Sequence, residues 1–192
     1  MDQLSIEVRP EEAKGQMREA IGLHAIARVN GLALPDILDV DAFFEALTDR
    51  GRLPLFTCEC GDFGCGGAYV DISGTDAEWI WGNRYAPSDP ERAALMYADQ
   101  CCFSWTNARS VAIELLALLH PLHRERPQAL LMSAQLGVDL SARLPHYEAQ
   151  IMEIMEHSAH IAHPEGPRAT MSFELPSCVA PRRLLSWTVE DW

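Results

Sequence analysis

Leu4, Ile6 and Val8 alternate with polar neighbours, a period of two that predicts a strand with one buried face. Within the apolar stretch Gly22 to Leu34, Val29-Asn30-Gly31-Leu32 places Asn-Gly between apolar flanks. That pair predicts a tight hairpin, because its turn needs positive φ at both central residues. The period then lengthens. Asp39 predicts the N-cap of a helix from about Val40 to Asp49, with Phe43, Phe44 and Leu47 buried and Gly51 as its stop. Leu53 to Thr57 and Ala68 to Ile72 read as strands, and Glu78 to Trp81 as another after the turn Ser73-Gly74-Thr75-Asp76. Asn83 to Pro90, with Pro87 and Pro90, reads as a loop.

Further on, Gln100 to Trp105 predicts a strand with Cys101, Phe103 and Trp105 on one face. Thr106 or Asn107 would cap a helix through Leu119, ended by His120 and Pro121, with Val111, Leu115 and Leu118 buried. Its polar stripe is essentially Ser110 and Glu114, so it should pack across a sheet. The charged stretch His123 to Gln128, with Pro127, is the expected joint. It divides residues 1–123, a core with a cysteine-rich turn, from residues 124–192, an extension packed on the same core. In the extension, Ala129 to Leu140 is apolar, and a long helix is expected from about Leu144 to Ala162, with Pro145 in its first turn. Leu144, Tyr147, Ile151, Ile154 and Met155 would face the core. Ala169 to Leu175 and Leu184 to Val189 are strand candidates. The sum is an α+β fold, a mainly antiparallel sheet with helices packed on it.

Composition narrows the partners. The 192 residues are 48% hydrophobic, enough for one buried core. A net charge of −13 argues against nucleic acid as a direct ligand, because phosphate binding needs clustered cations. It favours a basic protein partner, or solubility alone. The longest apolar run, Leu115 to Leu119, is far short of the roughly 18 residues of a spanning helix, so no membrane role is expected. A cytoplasmic location is the expectation. Cysteines there stay mostly reduced, which favours metal, redox or core roles over a disulfide framework.

Chemistry concentrates in Cys58-Glu59-Cys60-Gly61-Asp62-Phe63-Gly64-Cys65-Gly66-Gly67, which holds three of the six cysteines. Zinc is usually held by thiolate pairs with two to four residues between them, and Cys60 and Cys65 have four. Cys58 and Cys60 are closer, with one residue between. The candidate metal set is therefore Cys58, Cys60 and Cys65, with the fourth ligand from Cys102, Cys178 or a histidine. A structural zinc, reduced thiols packed in a tight hairpin, and a redox or disulfide site all remain open. His157, His160 and His163 near the end of the long helix, with Gln150, Glu153 and Glu156, form a second cluster, read as a solvated face. Phosphate loops, dinucleotide fingerprints and the nucleophile elbow are absent from the sequence. Trp79 and Trp81, sharing one strand face, read as core.

The order hairpin, helix, then Leu55-Phe56-Thr57-Cys58-Glu59-Cys60-Gly61 and Gly64-Cys65-Gly66-Gly67 resembles a group of small bacterial proteins without an established reaction. In these a Thr-Cys-x-Cys-Gly turn precedes strands ending in tryptophan, here Trp79 or Trp81. The resemblance covers about Ala25 to Leu119. A looser likeness of class links acidic α+β chains of this size to immunity proteins of toxin systems. The reading that follows is a non-catalytic, immunity-type protein that neutralises a basic partner through an acidic surface. Asp36, Asp39, Asp41, Asp62, Asp71, Asp76 and Asp89 are its candidate contacts. The alternative is a thiol- or zinc-dependent enzyme centred on Cys58, Cys60 and Cys65.

Overall fold

The computed structural model describes residues 1–12, 21–58, 63–93, 100–125, 127, 130–131 and 138–162. The strand candidates Ala169 to Leu175 and Leu184 to Val189 lie outside the described residues. β1 (Leu4–Glu12) and β2 (Ile21–Val29) pair antiparallel from Leu4–Val29 to Glu12–Ile21. β2 turns into β3 (Leu32–Leu38) through Asn30 and Gly31, at φ 53° and 82°, as Asn-Gly predicts. α1 (Val40–Thr48) follows, with the Asp39 carboxylate accepting from the Ala42 N–H at 3.1 Å. Gly51, at φ 110°, then opens β4 (Gly51–Thr57), a conformation that a side chain would disfavour.

Beyond β4 come α2 (Phe63–Gly66), β5 (Ala68–Gly74), β6 (Glu78–Ala86), β7 (Asp89–Ala93) and β8 (Cys101–Ser104). α3 (Trp105–Glu125), β9 (Leu130–Leu131), β10 (Val138–Asp139) and α4 (Leu140–Ala162) complete the described chain. The sheet runs β10-β9-β2-β3-β4-β5-β6-β7, with β1 beside β2 and β8 beside β6. Its named strand pairs are antiparallel except β2 with β9. The fold is α+β, as its alternating and helical periods predict.

The sheet curls back on itself. Asp2 bridges Phe103, its N–H donating to the Cys102 carbonyl at 2.7 Å, and its carboxylate accepts from the Cys102 N–H at 2.8 Å. Asn107, at the start of α3, acts as a surrogate strand. Its side-chain oxygen accepts from the Leu4 N–H at 2.8 Å and its amide donates to the Leu4 carbonyl at 3.1 Å. Both backbone groups of Leu4 are thus satisfied by one side chain.

Aromatic rings fill the concave face. Trp79, fully buried, lies near Phe43, Trp81 and Phe103, and its indole N–H donates to the Ala46 carbonyl at 2.9 Å. That bond satisfies a carbonyl near the C-terminal end of α1 and pins the helix to the sheet. Phe43, Phe44 and Leu47 are buried as their helical spacing predicts.

Several expectations are corrected. The stretch read as a loop, Asn83 to Pro90, instead carries β6 to Ala86 and begins β7. Pro90 is tolerated because β7 ends the sheet order and needs no ladder N–H there. α3 begins at Trp105, ahead of the expected caps Thr106 and Asn107, with the Ser104 hydroxyl accepting from the Asn107 N–H at 3.1 Å. It also runs through Pro121. The carbonyl that proline leaves without its helical partner, at Ala117, lies on the exposed side, where water can serve it. Val111 and Leu115 are buried, but Leu118 is half exposed, because the buried stripe centres on Ala108, Ala112, Leu115 and Leu119. α4 starts four residues before Leu144. Its buried stripe centres between Tyr147 and Ile154, which takes Gln150 inside and leaves Met155 half exposed.

Candidate functional site

Asp41, in the first turn of α1, accepts three side-chain hydrogen bonds. One oxygen accepts the Tyr147 hydroxyl and the other accepts Arg143 Nε and Nη2 at 3.2 and 3.1 Å. Arg143 and Tyr147 are four apart on α4, so helical geometry presents both to one point. The Tyr147 ring stacks on Phe44 at 4.2 Å between centroids, 12° from parallel. Burial, then the bond to Asp41, pushes the Tyr147 hydroxyl well above its ordinary range. Burial alone would lower the Arg143 pKa; Asp41 first, then Tyr147 and Glu45, together more than offset it, and the guanidinium sits above its usual value. On the next turn of α1, Glu45 is held above the usual carboxyl range, chiefly by burial and then by the charge on Asp41. With both oxygens of Asp41 occupied by donors, the arrangement is a lock between α1 and α4.

A second cluster repeats the same residue types on the other side of the sheet. Asp71 accepts Arg52 Nε at 3.0 Å and the Tyr85 hydroxyl at 2.6 Å, while the Arg52 guanidinium lies 3.5 Å from the Tyr85 ring centre. Arg52 also donates to the Pro90 carbonyl, tying β4 to β7. Nearby on the concave side Arg84 pairs with Asp36 and lies over the Phe56 ring at 4.7 Å.

These contacts sort the seven acidic residues singled out from sequence. Asp39 is a buried helix cap and Asp41 a buried lock; Asp36 and Asp71 are held by Arg84 and Arg52. Asp62 lies outside the described residues. Asp76, in the turn before β6, and Asp89, at the start of β7, are exposed, as is Glu91. The pairing of Asp41 spans 102 residues, and the i, i+4 placement of Arg143 and Tyr147 was its only local signal.

No protein-family model, curated protein or solved structure matches this chain. The residues themselves carry the interpretation.

Of the candidate metal set, the described side chain is Cys58, half-buried at the end of β4. A Cβ on Gly66 would sit 3.5 Å from Cys58 Cβ, so the turn folds α2 back against that cysteine. A Cβ on Gly67 would fall 2.6 Å from the Phe63 carbonyl, so the turn closes only with glycine there. Cys60 and the side chain of Cys65 lie outside the described residues, as does Cys178. Cys102, considered from sequence as a fourth ligand, is buried and disulfide-bonded. The expectation of reduced cysteines is therefore not met at Cys102. Among the described residues no group of three or more potential ligands gathers. His157 and His160 lie on α4 with their side chains outside the description, and His163 lies beyond it; Glu153 is exposed. No described helix is long and apolar enough to cross a membrane.

Proposed function

We propose that this chain is a non-catalytic, immunity-type protein that occludes a basic partner protein through its acidic surface, with the cytoplasm as its site of action. The observation that carries the reading is how charge is distributed. Arg9, Arg28, Arg52, Arg84 and Arg143 are each paired with a carboxylate of the same chain. Asp76, Asp89 and Glu91, flanking β6, are exposed and make no ion pair among the described residues. In a chain of net charge −13, such carboxylates set the outward field, which steers a cationic partner and speeds its association.

The test is capture from a lysate of the protein's own organism. The immobilised chain should retain a basic protein that elutes as salt is raised, and a variant with Asp76→Arg, Asp89→Arg and Glu91→Arg should lose it. Equal retention by the folded variant, or a captured protein that is acidic, would overturn the assignment.

A further inference from the structure

The first residues of the chain are latched by an asparagine whose neighbour makes it chemically labile. The Asn30 side-chain oxygen accepts from the Gln3 N–H at 2.9 Å, and its amide donates to the Asp2 carboxylate at 2.9 Å. The Asn30 N–H donates to the Gln3 carbonyl at 2.8 Å. The same Asp2 carboxylate receives the Cys102 N–H, so Asn30 and Asp2 together close the curled sheet against β8. Asn30 is exposed and precedes Gly31, around whose absent Cβ nothing lies within 4 Å.

We propose that Asn30 is a deamidation site, and that its conversion to a carboxylate releases the latch on Asp2 and Gln3. The Gly31 backbone nitrogen, after losing its proton, attacks the Asn30 side-chain carbonyl carbon. The new C–N bond closes a succinimide as the bond to Nδ2 breaks and ammonia leaves. Water then opens the ring to aspartate or isoaspartate, with no change in oxidation state. Two features of the site favour the step. Glycine leaves the attacking nitrogen unshielded, and the Gln3 N–H points at the oxygen on which charge develops. The consequence follows from donor counting. An amide that donates to Asp2 becomes a second carboxylate facing it, so one hydrogen bond is replaced by like-charge repulsion. Isoaspartate would also lengthen the backbone in a turn that depends on left-handed φ at this residue.

The chain contains three asparagines, and the other two, Asn83 and Asn107, precede Arg84 and Ala108. Peptide mapping of the full-length protein, aged in mildly alkaline buffer, should find deamidation first at Asn30. The variant Asn30→Asp should raise hydrogen exchange at the Gln3 and Cys102 amides about tenfold, because local opening becomes easier. Combining it with Asp2→Asn restores a donor opposite an acceptor and should recover most of that protection. Conversion at Asn83 or Asn107 ahead of Asn30 would overturn the proposal. So would unchanged exchange in Asn30→Asp, or a double variant no better protected than the single one.

Discussion

Asp41 and Asp71 are each met by one arginine and one tyrosine, and the two trios differ mainly in their access to water. The Asp41 side chain is 9% exposed and its tyrosine fully buried; the Asp71 side chain is 36% exposed, and its arginine stands at the surface. Around Asp41 the donors are the only solvent the carboxylate has. Around Asp71 water can reach the carboxylate and replace Arg52, although Tyr85 is itself buried. The same atoms therefore form a structural lock in one place and a marginal surface pair in the other. The contrast separates a carboxylate that holds the fold from one that sits at the surface.

The largest expected effect is at the buried trio. Asp41→Ala strands the Tyr147 hydroxyl and leaves Arg143 without its counter-charge, and should cost about 3–4 kcal/mol in denaturant unfolding. Asp71→Ala should cost less, about 1–2 kcal/mol, because Arg52 rehydrates and only the buried Tyr85 hydroxyl loses its acceptor. Equal losses at the two positions would break the comparison.

Much of the local architecture was legible from sequence, and the failures share one cause. Asn30-Gly31, the Asp39 cap and the buried face of α1 are decided by residues a few positions apart. The Asp41 lock was not legible because its donors arrive from a helix about a hundred residues later. Distant packing also moved the boundaries at Ser104 and Leu140 and sustained α3 through Pro121. The buried stripes of α3 and α4 were displaced at Leu118, Gln150 and Met155 because neighbouring elements, not helix period alone, choose which flank is covered. The cysteine turn was conspicuous in sequence, yet Cys58 is its one cysteine whose side chain is described.

A smaller effect sharpens the comparison through pH. Because the Glu45 carboxyl is raised, the folded state binds its proton more tightly than the unfolded chain does. Its favourable contribution is complete below the ordinary value of about 4.5 and is lost as pH rises through the folded value. Glu45→Gln should therefore stabilise the protein modestly at neutral pH and change little in acid, as read by urea unfolding at both. A loss of stability at neutral pH would show that the Glu45 charge is favourable where it stands.

The most direct measurement pairs stability with association rate in two folded variants, using the captured basic protein. Asp41→Asn should lower unfolding free energy and leave the association rate unchanged. The Asp76→Arg, Asp89→Arg, Glu91→Arg protein should keep its stability and associate about tenfold more slowly at low salt. The opposite pattern, with association lost on changing the buried carboxylate and retained on reversing the surface ones, would contradict the account.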